Sequence, residues 1–204
     1  MSNKLFSIHD GLAASGRIQS LARIRDHISA WEVFLLLICG STAATAVELI
    51  RLGLRLPGHA ILLSMIPMGL GLALAPRRSA GFVMSAGAFS TAIILSQTGL
   101  VRYGTGSFVS LCLLGPVMDL VLAKFRSGWR LYFGLVLAGI ITNLLALTSR
   151  SIAKLMGLDF AGTRPFGPWW GQALVTYSIC GAVAGFIAAI CFFSFRKKRR
   201  ENEA

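Results

Sequence analysis

Residues 131–149 read LYFGLVLAGIITNLLALTS, a run of nineteen positions without a charged side chain. Crossing the hydrocarbon core of a bilayer takes about 20 mostly apolar residues, with a range of about 17 to 25. This run is therefore long enough to cross a membrane as a helix. The same length criterion identifies five more segments. We predict six transmembrane helices, at residues 31–50, 59–75, 79–97, 107–123, 131–149 and 171–195.

The composition of the whole chain agrees with this prediction. Hydrophobic residues make up 55% of the 204 positions, charged residues only 14%, and the mean hydropathy is +0.70. Because so little charge is available to cover a water-soluble domain, we predict an all-α, polytopic membrane protein. The formal net charge of +12 would also suit a nucleic-acid-binding protein. However, the basic residues lie between the apolar runs and at the chain ends, so we expect no nucleic-acid partner.

The placement of lysine and arginine predicts the orientation in the membrane, because basic flanking residues stay preferentially in the cytoplasm. With both termini inside, 14 of the 20 basic residues fall on the cytoplasmic side and 6 on the outer side. We therefore predict a six-helix bundle with both termini in the cytoplasm. It divides the chain into a cytoplasmic amino-terminal segment at 1–30, a membrane domain at 31–195 and a basic cytoplasmic tail at 196–204.

The two ends of the chain are basic, and each end has two interpretations. Between residues 18 and 28, isoleucine and leucine recur at helical spacing among arginines, which predicts a short amphipathic helix on the membrane surface. This helix either anchors the chain to membrane lipids or docks a partner protein. The RKKRR run at 196–200 either sets the topology or recruits a cytoplasmic partner.

Polar and aromatic side chains concentrate toward the outer side of the predicted topology. Polar groups without partners are costly in hydrocarbon, so they should face a cavity or each other. We predict that these side chains converge on one extracytoplasmic site for a small molecule. Its candidate residues are Glu48, Arg55, His59, Asn143, Trp169, Trp170, Gln172 and Tyr177.

Two of these assignments have structural alternatives. Asn143 would serve equally well as a hydrogen-bonding group between two helices. Trp169 and Trp170 belong to a residue type that favours the headgroup region of a membrane without any ligand. They end a connection at residues 150–170 that is long enough to form a lid.

No catalytic or metal-binding motif is present. GxSxG, HExxH and P-loop patterns are absent, and the three histidines are dispersed, so we expect neither an enzyme, nor a cofactor, nor a metal site. Asp119 is the one acid in the middle of a predicted span. We expect it to pair with Arg77, Arg78 or Lys124 at the cytoplasmic rim, with a coupling or proton-relay role as the alternative.

Two features of the predicted helices concern their packing. Pro67 lies in the middle of the second span, where we expect a kink or a partly unwound turn. Gly40 and Ala44 are four residues apart on the first span, so they share one side of that helix. Small residues let another helix backbone come close, which makes this pair a candidate interface with a partner, although it would also suit packing inside the bundle.

The order of these features resembles that of the substrate-binding (S) components of energy-coupling factor transporters. The resemblance covers residues 31–195 and is carried by two stretches. Residues 54–95, LRLPGHAILLSMIPMGLGLALAPRRSAGFVMSAGAFSTAIIL, are similar to the family's Pro-Gly outer loop, proline-containing helix, basic turn and Gly/Ala-rich third helix. Residues 113–128, LLGPVMDLVLAKFRSG, are similar to its fourth helix and inner turn.

The resemblance implies a capture subunit in the cell (inner) membrane that binds a small, vitamin-like nutrient from outside. It further implies a transmembrane coupling protein and two ATPase subunits as partners. Two departures are visible: the family's Ala-x-x-x-Ala on the first helix is replaced by Gly40-x-x-x-Ala44, and the Met-His start of its metal-transporting members is absent. The alternative hypothesis is a structural or assembly membrane protein that recruits a partner and transports nothing.

Overall fold

The computed structural model describes residues 29–50, 58–77, 79–99, 103–125, 128–157 and 166–203. Across these residues the chain forms helices and connections without strands, so the predicted all-α class is confirmed for the described part. The predicted amphipathic helix before residue 29 and the candidate Arg55 lie outside the described residues. The six described helices are α1 (Ala30–Leu49), α2 (Ala60–Leu74), α3 (Ala80–Gln97), α4 (Thr105–Lys124), α5 (Gly128–Leu155) and α6 (Phe166–Glu203).

Among the described helices, five are long and apolar enough to cross a membrane, which is consistent with an integral membrane protein. The exception is α2, which is apolar but has only 15 residues. At 1.5 Å per residue it is about 22 Å long, shorter than a hydrocarbon core of about 30 Å. The helix runs through Pro67 from Ala60 to Leu74, so the unwound turn predicted there is not observed.

The position of α2 explains how a short helix with an internal proline is accommodated. The helices close a ring in which α1 packs on α3, α3 on α4, α4 on α5, α5 on α6, α6 on α2 and α2 on α1. In addition, α2 touches α3, α4 and α5, so it contacts every other described helix. Irregular backbone at membrane depth is tolerated where protein surrounds it. The short α2 is therefore surrounded by the other described helices.

Contacts between helix ends show that successive helices run in alternate directions. Arg77, just after α2, donates a hydrogen bond of 3.0 Å from Nη2 to Oε1 of Glu32 at the start of α1. Tyr103, just before α4, donates one of 3.1 Å to the carbonyl oxygen of Ala44, near the end of α1. We call the two ends the short-loop end and the long-loop end. The first holds the connections at 75–79 and 125–127, and the second those at 50–59, 98–104 and 156–165.

The small residues of α1 pack inside the bundle. Gly40 and Ala44 are both buried, and a Cβ atom on Gly40 would overlap the carbonyl oxygen of Met84 and lie 2.9 Å from the backbone nitrogen of Ala88. Glycine is required there because the backbones of α1 and α3 approach so closely. In the described structure Gly40 and Ala44 thus pack against α3, which is the internal-packing alternative for this pair.

Two helices extend beyond their predicted spans. The span predicted at 131–149 ends at Ser149, just before Arg150, but α5 continues to Leu155. The span predicted at 171–195 becomes α6, which begins at Phe166 and ends at Glu203. The last connection therefore comprises residues 156–165, and both Trp169 and Trp170 are helical. A span predicted from hydrocarbon thickness ends where charged residues begin. The helix itself can continue past those residues into the membrane interface.

Candidate functional site at the long-loop end

Asn143 joins three elements at the long-loop end. Its side-chain nitrogen Nδ2 donates hydrogen bonds to the carbonyl oxygens of Tyr177 on α6, at 2.7 Å, and of Gly58, which precedes α2, at 3.2 Å. The side chain is only 2% exposed. These bonds are the interhelical role that was the alternative for Asn143, because both donor hydrogens of the amide are used by the backbone.

Gly58 is required at this junction for two reasons. Its φ of +87° is a left-handed conformation that residues with a side chain rarely adopt. A Cβ atom there would also lie 2.8 Å from the ring of Tyr177 and 3.1 Å from Nδ2 of Asn143. The backbone before α2 is thus held directly against α5 and α6. This contact brings His59, the next residue, to the edge of the same junction.

Tyr177 is the central side chain of the junction. The residue is 4% exposed and packs with Ala146, Leu147, Trp169 and Ala173 in a small apolar cluster. Its hydroxyl oxygen lies 3.8 Å from the position that a Cβ atom on Gly106, in the first turn of α4, would occupy. Within the part of the chain that the structure describes, the Tyr177 hydroxyl makes no hydrogen bond. Among the described residues, the buried hydroxyls that lack a partner belong to Tyr132 and Thr142 and not to Tyr177, so the Tyr177 hydroxyl is not a desolvated group that needs a ligand.

Two positively charged side chains lie against the ring of Trp169 at the same end. The guanidinium carbon of Arg150 lies 5.7 Å from the centre of the indole ring, and the Lys154 nitrogen lies 4.6 Å from it. These distances are within the range of cation–π attraction. Because residues four apart share one side of a helix, Arg150 and Lys154 present two cations on one side of α5. Phe166 and Trp170 stack beside this group, with ring centres 5.7 Å apart.

Tyr103 occupies the opposite flank of the start of α4. Its hydroxyl donates to the Ala44 carbonyl oxygen, and its ring packs on Phe108 with centres 5.3 Å apart. Burial raises the pKa of Tyr103 to about 12, and the negative charge of Glu48 adds to this effect. Tyr103 therefore remains a neutral hydrogen-bond donor over the physiological range. Glu48 belongs to this flank with α1, close enough for its charge to act on Tyr103.

The structure thus brings some of the predicted candidates together and separates others. Asn143, Tyr177, Trp169 and Trp170 belong to one junction, with His59 next to it. Gln172 is exposed on the surface of α6, and Glu48 lies with Tyr103. Sequence reasoning missed Gly58, Gly106, Arg150 and Lys154 as members of the site. The two cations had been used only to predict orientation, and nothing in the local sequence marks Gly106.

Asp119 has a different role from the one predicted. Its Oδ1 accepts a hydrogen bond of 3.0 Å from the Gly81 amide, and its Oδ2 accepts one of 2.8 Å from the Phe82 amide. Both amides belong to the first turn of α3, so Asp119 caps that helix from α4. Of its expected partners, Arg77 pairs with Glu32, and Arg78 lies outside the described residues. A carboxylate at a helix amino terminus is also favoured by the helix dipole.

Three comparisons bear on what this arrangement is similar to. Comparison with protein-family models finds no match, and comparisons with characterised proteins and with solved structures find none either. The functional hypothesis therefore depends on the order of sequence features and on the geometry of the long-loop end.

Proposed function

We propose that the protein is the membrane-embedded capture subunit of an ATP-powered importer in the cell membrane. In this proposal the long-loop end faces outward and binds a small water-soluble molecule, which follows from the predicted orientation with both termini inside. A separate transmembrane coupling protein and two ATPase subunits supply the energy, because the chain carries no nucleotide-binding motif. The resemblance of residues 31–195 to substrate-binding components motivates this choice.

One group of contacts carries the proposal: the apolar cluster around Tyr177 and Trp169, with Arg150 and Lys154 against the Trp169 ring. The junction around Tyr177 joins α5 and α6 with Gly58, which precedes α2, and lies close to the first turn of α4. Ligand sites typically combine apolar and aromatic walls with a few convergent polar groups. The apolar cluster around Tyr177 and Trp169, with the nearby cations, has this character.

The rival function, a structural or assembly protein, is favoured by two other contacts. Asn143 is bound to backbone carbonyl groups, and Gly40 packs against α3. Both interactions hold the bundle together and need no ligand. They reduce the set of ligand-binding candidates, but they do not account for the two cations against the Trp169 ring.

Mass spectrometry of the purified protein separates these functions. The protein is purified in mild detergent from its own host cells, denatured, and the released fraction is analysed for small molecules. We expect a released small molecule and co-purifying ATPase subunits. The released amount should fall in Tyr177→Phe and remain unchanged in Tyr132→Phe, which removes a buried hydroxyl at the short-loop end. Absence of both the small molecule and the ATPase subunits would favour the assembly role.

A further inference from the structure

We propose that Thr142 and Ser110 bind an uncharged hydrogen-bonding group of a ligand, such as a carbonyl or hydroxyl group, between α4 and α5 in the middle of the bundle. This inference rests on the proposed function, for which it names two further binding residues and the chemical class of the ligand group. The observations are a buried hydroxyl without a partner, its depth in the bundle and the register of α4 on α5.

The hydroxyl of Thr142 is buried and makes no hydrogen bond. The residue is 0% exposed, and its Oγ1 has no partner in the described structure. Helical serine and threonine commonly donate to a carbonyl oxygen three or four residues earlier, as Thr148, Ser149 and Ser151 do on the same helix. A buried hydroxyl without a partner is costly, so a group that bonds to Thr142 would stabilise the protein.

Thr142 lies halfway along α5. At 1.5 Å per residue it is about 20 Å from either end of the helix. Water on either side of a membrane does not hydrate an unexposed group at this depth. The partner of the hydroxyl is therefore a molecule that enters between the helices, which is a ligand or an enclosed water molecule.

The register of α4 on α5 places a second hydroxyl at the same depth. A Cβ atom on Gly106, in α4, would lie 3.4 Å from the carbonyl oxygen of Ala146, in α5. The two helices run in opposite directions. One turn deeper in the bundle are Ser110 on α4 and Thr142 on α5. Ser110 is 5% exposed, so both hydroxyl groups lie on buried, adjacent turns.

The ligand group at this depth is uncharged, because the helices around it carry no free charge there. Residues 60–74 of α2, 131–149 of α5 and 171–195 of α6 contain no charged side chain. On α4 the acid is Asp119, nine residues beyond Ser110, and it binds amides of α3. Burying an ion without an opposite charge is far more costly than burying a neutral polar group. Hydroxyls donate and accept, so a carbonyl or hydroxyl group of a ligand is a suitable partner.

The path to this site runs along the contact between α4 and α5. The Tyr177 hydroxyl lies 3.8 Å from the Cβ position on Gly106, one turn nearer the long-loop end. Because Thr142 is not exposed, a ligand reaches it when this contact opens. Hydrogen bonds hold α4 to α3, such as that of 2.8 Å from the Gly115 amide to Ser85 Oγ. These bonds keep α4 attached to α3 when α4 and α5 separate.

Replacement of Thr142 by valine, which has the same shape, tests whether its hydroxyl serves a ligand. Thr142→Val removes the unpartnered hydroxyl, so the dialysed protein in detergent should unfold about 2 to 4 °C higher than the wild type. In the mass-spectrometry experiment, this variant and Ser110→Ala should each release about tenfold less small molecule. Thr148→Val is the matched control, because its hydroxyl already donates to the Leu145 carbonyl oxygen at 2.8 Å. Its unfolding temperature should not rise, and its released amount should not change.

Three results would overturn the inference. A lower unfolding temperature of Thr142→Val would show that its hydroxyl has a structural partner. A higher unfolding temperature with an unchanged released amount would show that the hydroxyl binds enclosed water only. Equal effects in Thr142→Val and Thr148→Val would show that the unpartnered hydroxyl has no special role.

Cysteine labelling tests access to this depth without knowledge of the ligand. Thr142→Cys is made in a variant whose four native cysteines are replaced by alanine, and the folded protein is treated with iodoacetamide, a small uncharged reagent. The control is Ala138→Cys, one turn nearer the short-loop end and likewise 0% exposed. We expect the Thr142→Cys variant to react roughly tenfold faster, because opening of the α4–α5 contact exposes position 142 first. Equal rates, or no reaction of either variant before unfolding, would contradict the proposed path.

The two proposals fail separately. A small molecule and ATPase subunits that co-purify with the wild type, together with an unchanged released amount in Thr142→Val, would retain the importer subunit and reject this site. Labelling of Thr142→Cys and a stabilised Thr142→Val, without any released molecule or ATPase subunits in the wild type, would retain the site and reject the importer.

Discussion

The two ends of the bundle treat their polar groups differently. At the short-loop end, Asp119 binds two amides of α3 and Glu32 binds Arg77, so the carboxylates that approach helix starts are used within the protein. At the long-loop end, no described side chain caps the start of α2 or of α4. The difference teaches that carboxylates stabilise helix starts at the short-loop end, whereas the described starts of α2 and α4 at the long-loop end have no acid in their first turns.

Apart from Gly58, which packs tightly against Tyr177, the glycines also differ between the two ends. Gly81 and Gly115, toward the short-loop end, lie where the backbones of α3 and α4 come close together. At Gly104, Gly157 and Gly171, toward the long-loop end, an added Cβ atom would meet no described atom within 4 Å. Close backbone packing therefore stabilises the short-loop end, whereas the surface at the long-loop end has room for additional groups.

The largest effect that we expect is at Gly115. A Cβ atom there would overlap the carbonyl oxygen of Gly81, so Gly115→Ala must push α3 and α4 apart. We expect a loss of about 3 kcal/mol in the free energy of unfolding, measured by denaturant titration in detergent. Gly171→Ala is the control at the long-loop end, where we expect no loss. Equal losses in the two variants would remove the contrast between the ends.

Asn143→Ala should have the next largest effect. The change removes two hydrogen bonds and leaves the carbonyl oxygens of Tyr177 and Gly58 without this donor. We expect a loss of about 2 kcal/mol in the free energy of unfolding, because buried polar groups that lose a partner remain desolvated. If Asn143→Ala unfolds like the wild type but releases no small molecule in the mass-spectrometry experiment, Asn143 is a ligand contact instead of a structural one.

Much of the helical architecture could be predicted from the sequence because hydrocarbon thickness limits the length of apolar runs. All six predicted spans correspond to helices, and the boundaries of α3 differ by only a residue at its start. The ends of α5 and α6 could not be predicted in this way. There, Arg150 and Lys154 are stabilised by the ring of Trp169, a contact that exists only when two helices lie side by side.

The sequence predicted candidate residues from their depth in the membrane. It did not predict which residues of other helices would contact them. Tyr177 and Asn143 were identified because polar groups inside a span need partners. The partner of Asp119 was predicted wrongly, since the charges in the sequence do not reveal that α4 reaches the first turn of α3. Gly106 was missed because the role of a glycine depends on what packs against it, here Tyr177 and Arg150.

A smaller effect is expected for Asp119, which lies at the short-loop end. Asp119→Ala removes the acceptors for the Gly81 and Phe82 amides, so the first turn of α3 loses its cap. Losing a helix cap typically costs about 1 kcal/mol. Asp119→Asn should recover part of this loss, because the amide retains one oxygen acceptor. A larger loss in Asp119→Asn than in Asp119→Ala would show that the cap is not the main role of this side chain.

The smallest effect concerns the ion pair between Glu32 and Arg77. Arg77 donates from Nε at 3.3 Å and from Nη2 at 3.0 Å to the same oxygen, and both side chains are 25% exposed. Water and salt weaken such a pair, so its coupling free energy should be below about 1 kcal/mol. A double-mutant cycle with Glu32→Gln and Arg77→Gln measures this coupling without removing the hydrogen bond that the residue at position 32 accepts from Ser29. The coupling should decrease with added salt. A salt-independent coupling above about 2 kcal/mol would place the pair in a desolvated environment, and the short-loop end would then depend on buried charge as well as on helix capping and glycine packing.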